Sequence, residues 1–150
     1  MRINPLPLFL LCLTPLLGCS AQTKHTDTRA EPAEVAMNIH YLEIVTPDVD
    51  ATCEALASAH GTAFDEPIPE LGNARLAPLT GGGAISVRAP MRATETPVVR
   101  PYILVDDLAA AVEAARAAGA EIAIPAMEIP GRGTIAIYIL GGIEHGLWQR

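Results

Sequence analysis

From Asn38 onward, apolar and polar positions alternate in two short runs, and each run leads into a segment with helical spacing. Ile39 to Val45 and Val98 to Val105 are rich in β-branched residues and alternate along the chain, which predicts a strand in each. Behind each strand stands an aspartate, Asp48 or Asp107, a residue type that caps helices by accepting from the unpaired N–H groups of the first turn. Val49, Cys53, Leu56 and His60 then fall at i, i+4, i+7 and i+11, and Leu108, Val112, Ala115 and Gly119 repeat the spacing. Each set is one stripe of a 3.6-residue helix, and Gly61 and Gly119 end the two helices.

The two runs are copies of one pattern. With Asp48 set against Asp107, an offset of 59 positions, Val49 faces Leu108, Ala51 faces Ala110, Cys53 faces Val112 and Ala55 faces Ala114. Three shorter strands are expected after each helix: Thr62–Asp65, Ala74–Leu79 and Ala84–Ala89 in the first copy, Glu121–Ile124, Thr134–Leu140 and Glu144–Gln149 in the second. Pro67 and Pro125 punctuate the copies, and Gly81-Gly82-Gly83 and Gly141-Gly142 make the last turn in each. The expected class is α+β, built from two βαβββ modules at 39–90 and 98–149.

The N-terminus follows a different rule. Arg2 precedes an apolar run from Leu6 to Leu17, broken by Pro7 and Pro15. A spanning helix needs about 20 apolar residues, so this shorter run reads as a secretory signal. Leu16-Leu17-Gly18-Cys19 resembles the bacterial lipobox, which implies cleavage after Gly18 and a diacylglyceryl group on Cys19. The other reading is an ordinary cleaved signal cut near Ala21. Residues 1–18 are then the lipoprotein signal peptide, 19–37 a polar tether containing Pro32, and 38–150 the folded domain. The chain is expected to be exported and held on a membrane facing the periplasm or the cell exterior. Ser20 in place of an aspartate favours the outer membrane by analogy with lipoprotein sorting, where the cell has one.

The formal net charge of −7, with no basic cluster, argues against a nucleic-acid partner. Cys53 is the one cysteine within the domain and has no partner there for a disulfide, so it reads as a small buried hydrophobe. No Gly-x-Ser-x-Gly element is present, and Cys53 sits on an apolar helix stripe, so no nucleophilic constellation emerges.

The duplicated pattern, the segment VDDLAAAVEAARAAGAEI at 105–122 and the closing GLWQ at 146–149 resemble the vicinal oxygen chelate superfamily, which includes glyoxalase I, extradiol dioxygenases and bleomycin-resistance proteins. The resemblance implies that each module forms a half-barrel and that the two surround a central cavity. It also implies a homodimer as a credible assembly. Metal-dependent members hold a divalent cation with side chains from the first and last strands of each module. Carried over residue by residue, those positions are Tyr41, Ser86, Arg100 and Gly146. An arginine stays protonated and repels a cation, and a glycine has no side chain. No metal or other cofactor is therefore expected at the family position. His40, Glu144 and His145 remain as alternatives for a displaced divalent-metal site, although His40 and His145 are each one residue out of register, which turns a strand side chain to the other face.

The same alternation says what would line the cavity: Tyr41, Glu43, Ser86, Arg88, Arg100, Tyr102 and Trp148. Arg88 and Arg100 suit a carboxylate or another anion, or else they pair with Glu43 or reach solvent at the sheet edge. Trp148 or Tyr102 can stack on a planar group, and Trp148 can equally be plain core. Glu43 is the weak candidate for acid–base chemistry, for which it would need a raised pKa. The leading expectation is a membrane-tethered, metal-free domain that binds a small anionic or aromatic molecule. The alternatives are a lyase, isomerase or dioxygenase with a displaced metal, and a structural or interaction lipoprotein.

Overall fold

The structure is a computed structural model that describes residues 36–150. The signal peptide, Cys19 and nearly all of the tether lie outside the described residues. Among the described residues no helix is long and apolar enough to cross a membrane.

In chain order the elements are β1 (Ile39–Val45), α1 (Val49–His60), a 3₁₀ turn (Pro69–Leu71), β2 (Arg75–Pro78), β3 (Ala84–Arg88), β4 (Val98–Leu104), α2 (Leu108–Ala117), β5 (Glu121–Ile129), β6 (Gly133–Leu140) and β7 (Ile143–Gln149). One seven-stranded sheet carries them in the order β2-β3-β1-β4-β7-β6-β5. Within each module the first strand runs parallel to the last, β1 beside β3 and β4 beside β7, and the inner hairpins are antiparallel. The modules join through β1 and β4, which are antiparallel, with Leu42 opposite Pro101. Those two residues are equivalents in the repeat, so a pseudo-twofold axis passes through their pair. It sets Tyr41 opposite Tyr102 and Glu43 opposite Arg100.

The expected strand at Thr62–Asp65 does not form as one. That stretch meets β2 through the amide of Asp65, which donates to the Leu76 carbonyl at 2.7 Å, and through the Asp65 carbonyl, which accepts from Arg75 Nε at 3.1 Å; beyond it a single bridge joins Ile68 to Ala74. Pro67 and Pro69 interrupt the segment, and proline has no N–H for a ladder. The second module departs the other way. β5 runs on past Ile124 to Ile129, and its register slips between Ile124 and Met127, around Pro125. A proline is tolerated there because β5 is an edge strand, and the break also blunts that edge against pairing with another chain.

The two aspartates behave differently. Asp107 caps α2, its Oδ1 accepting from the Ala110 amide at 3.0 Å. Asp48 precedes α1 without a side-chain cap bond, because its backbone (φ −104°, ψ 60°) is not that of an extended cap residue. Gly61 closes α1 at φ +64°, a left-handed conformation that glycine adopts without steric penalty. Ala118 is the C-cap of α2, with Gly119 next to it.

The sheet has two distinct faces. On the helix side, Leu108 of α2 packs on Ala136 and Leu147, with Ala111, Val112 and Tyr138 around them. Full burial of a leucine is worth roughly 1.5–3 kcal/mol, so this small cluster does much to hold α2 down. On the other face Tyr41, Tyr102, Ile129, Ile135, Ile137 and Trp148 form a second cluster, with Leu71, Leu76, Ala84 and Ile124 at its margin. Cys53 is buried on the inner side of α1 and has no disulfide partner among the described residues, and burial raises its thiol pKa. His60, the last member of the α1 stripe, is exposed.

Candidate functional site

The second apolar cluster is one wall of a cleft of about 640 Å³. Alternation along the strands sends Tyr41 and Glu43 of β1, Arg88 of β3, Arg100 and Tyr102 of β4, and Trp148 of β7 to this space. Ser86 lies on the same face of β3, fully buried behind it, its hydroxyl 3.5 Å from the Leu42 carbonyl. All seven expected lining residues are therefore on one face and buried. Isoleucines 124, 129, 135 and 137 supply the apolar wall.

Glu43 is the centre of a buried charge network. Its Oε1 accepts from Arg88 Nε at 2.6 Å; its Oε2 accepts from Arg100 Nη1 and from the Tyr102 hydroxyl, the latter at 3.2 Å. Each arginine has a second carboxylate. Arg88 donates Nη1 and Nη2 to Glu95 at 3.0 and 2.7 Å, and Arg100 donates Nε to Glu144 at 2.8 Å and Nη2 to the same oxygen. Of the two ways to read these arginines, the structure has the internal one: both guanidinium groups are already held by glutamates. Glu43 is correspondingly a buried counter-charge. Both its oxygens are engaged by donors, an arrangement suited to holding two arginines and poorly suited to taking a proton from a ligand.

The titrations follow from this geometry. Burial works against charge on Arg88 and Arg100, but Glu95, Glu43 and Glu144 outweigh it and hold both guanidinium pKa values above the ordinary one. The Arg88 hydrogen bonds lower Glu95 to about 2, against the effect of burial. Burial pushes Tyr41 up to about 12, and burial with the nearby Glu43 charge raises Tyr102 as well, so both phenols stay protonated.

The aromatic residues form one contact set. Tyr41 and Tyr102 meet edge-to-face at 5.5 Å, Trp148 lies 5.0 Å from Tyr41 and 5.7 Å from Tyr102, and its indole N–H donates to the Arg132 carbonyl at 2.9 Å. Trp148 is thus both core and cleft wall.

The residues at the family's four metal positions do not fit a divalent cation. Tyr41 is a protonated phenol, Ser86 is turned to a backbone carbonyl, and Arg100 is cationic. At Gly146 the Tyr102 ring occupies the space a Cβ would need. The displaced set does not converge either. Glu144 is bound to Arg100, and His145 stacks on Tyr138 (5.1 Å, 16° between planes) on the helix side of the sheet, as its parity predicts. His40 departs from its expected place. The register of β1 against β4 slips between Ile39 and Tyr41, and this bulge brings the imidazole edge-on to Trp148 at 5.5 Å. Among the described residues no three His, Cys, Asp or Glu side chains are grouped to hold a metal ion.

Two features of the site were beyond the sequence reading. Glu95 reaches Arg88 from an irregular loop that has no periodicity to place it. Ile135 and Ile137 carry a signal in the alternation of β6, which sends both to one face.

No family model matches the chain, and no curated protein matches it. Solved structures do. Methylmalonyl-CoA epimerase from Mycobacterium tuberculosis is 19% identical with a TM-score of 0.60, covering 78% of this chain and 93% of that one. A hypothetical protein from Bacillus halodurans C-125 is 9% identical with a TM-score of 0.63, covering 77% and 96%. A methylmalonyl-CoA epimerase variant from Streptomyces coelicolor in complex with 2-nitronate-propionyl-CoA is 18% identical with a TM-score of 0.55, covering 76% and 98%. At these identities the likeness is one of fold. The chain has the glyoxalase-like, vicinal oxygen chelate fold, α+β, with two half-barrel modules around a cavity.

Proposed function

We propose that this chain is a membrane-tethered, metal-free glyoxalase-like domain that binds a small molecule with an aromatic or apolar body. The observation that carries the reading is the cleft itself. It pairs an aromatic and isoleucine wall with a charge network satisfied from within, at the place where the family's metal ligands would stand. Concave, mostly apolar spaces with a few placed polar groups are the usual form of small-molecule sites. The Streptomyces epimerase variant is in complex with 2-nitronate-propionyl-CoA, which supports an organic ligand for a protein of this fold. The tether rests on Leu16-Leu17-Gly18-Cys19, which would place the domain outside the cytoplasm on a lipid anchor.

Equilibrium dialysis of the purified mature chain against Ni²⁺, Zn²⁺ and Fe²⁺ tests the metal-free reading. No stoichiometric uptake is expected, and tight binding of one equivalent would sink it. Acyl labelling of the wild type, lost in Cys19→Ala, tests the anchor.

A further inference from the structure

At the end of the cleft formed by His40 and the β5–β6 turn lies a second cavity of about 350 Å³, lined by His40, Tyr41, Leu76, Arg132, Trp148 and Arg150 among others. It shares Tyr41, Leu71 and Trp148 with the larger cleft, so the two spaces meet across the aromatic wall. Its charge is unlike that of its neighbour. The polar side chains that line it are His40, Arg132, Arg150 and the Tyr41 phenol, and no aspartate or glutamate does so. Most arginines of the described residues have carboxylate partners: Arg75 with Asp50, Arg88 with Glu43 and Glu95, Arg100 with Glu43 and Glu144, Arg116 with Glu113. Arg92, Arg132 and Arg150 have none among the described residues; Arg92 lines the larger cleft, and the other two stand together at this cavity. In a chain of net charge −7 that is a local concentration of cationic side chains.

The backbone that carries Arg132 is anchored to the aromatic wall, its carbonyl accepting from the Trp148 indole N–H at 2.9 Å. Arg150 Nη2 lies 3.2 Å from His40 Nδ1, and the β1 bulge is what brings that imidazole to the edge of Trp148. Partial burial, and after it the nearby Arg150, lower the His40 pKa.

We propose that Arg132, Arg150 and His40 form an anion-binding subsite, so that the ligand is an organic anion whose carboxylate, sulfonate or phosphate sits there while its apolar body crosses Trp148 into the isoleucine-lined cleft. This rests on the small-molecule reading above and moves the anion away from Arg88 and Arg100, whose donors are already committed. Guanidinium groups suit such oxyanions by paired hydrogen bonds, and a fixed scaffold reduces the ordering cost of binding.

The test is a matched pair of fluorescent probes titrated into the mature chain at low salt: 1-anilinonaphthalene-8-sulfonate and its uncharged analogue N-phenyl-1-naphthylamine. Energy transfer from Trp148, the one tryptophan in the sequence, reports binding to the folded domain, and the substitutions locate it. The sulfonate is expected to bind about tenfold more tightly, with the advantage shrinking as salt rises. The advantage should vanish in Arg132→Gln/Arg150→Gln, whose side chains are exposed and whose loss should leave the circular dichroism unchanged, and persist in Arg92→Gln. Equal affinities, an advantage indifferent to the double substitution, or one lost in Arg92→Gln would overturn the subsite and leave the cleft reading standing. Energy transfer to neither probe would overturn both.

Discussion

The ring of Tyr102 fills the space directly over the Cα of Gly146, its register partner across the parallel β4–β7 pair. That contact decides two things. It fills with an aromatic ring the last position at which the resemblance implies a metal ligand, and it makes a side chain at 146 incompatible with Tyr102 where it stands. Gly146→Ala should therefore lower stability by about 1–3 kcal/mol through overpacking. In a Tyr102→Ala background the same change should be nearly neutral, since the obstructing ring is gone. Urea denaturation of the four proteins forms the cycle. An equal penalty in both backgrounds would mean that the backbone at 146, and not the ring, sets the requirement.

Glu43 and Glu144 both hold Arg100, but in different surroundings. The Glu43 side chain is 8% exposed and the Glu144 side chain 37%. Removing one partner of a buried ion pair costs about 3–5 kcal/mol, and exposed pairs are worth about 0–1 kcal/mol. Glu43→Gln should lie near the lower end of the first range, because Arg88 keeps Glu95 and Arg100 keeps Glu144. Glu144→Gln should cost less than about 1 kcal/mol. Urea midpoints at neutral pH separate the two; similar losses would refute the argument from burial.

Acid should act through Glu95. Its carboxyl is lowered from 4.5 to about 2 by the Arg88 hydrogen bonds. A depressed folded-state pKa adds stability above the unfolded-state value, and that stability is lost as pH falls toward the folded one. The window is therefore between about pH 5 and pH 2, and the contribution is up to about 3 kcal/mol. Glu95→Gln should be less stable than the wild type at pH 7, and the gap should close as pH approaches 2. A gap that stays constant across that range would remove Glu95 from the acid response.

Much of the architecture was legible because its cause is local. A period of two marks β1 and β4, a stripe of 3.6 marks the helices, and the 59-position repeat shows that one unit occurs twice. The convergence of the lining residues followed from parity together with the positions that the resemblance implied, since residues of one parity on adjacent strands share a face. Thr62–Asp65 does not form a strand, and Pro67 and Pro69 just beyond it keep a ladder from extending there.

The sequence by itself determined the α+β class, the two modules, the face on which Tyr41, Glu43, Ser86, Arg88, Arg100, Tyr102 and Trp148 lie, and the unsuitability of Arg100 and Gly146 as metal ligands. Only the tertiary structure decided what those residues do together. The bulge that brings His40 to Trp148 comes from the pairing of β1 with β4, strands of different modules. The capture of Arg88 by Glu95 depends on the path of a loop, and the placing of Tyr102 over Gly146 on the packing of two strands from one module. Alternation along a strand fixes which way a side chain points. Which partner it meets there is set by pairing and loop closure across the whole sheet, and no local period records that.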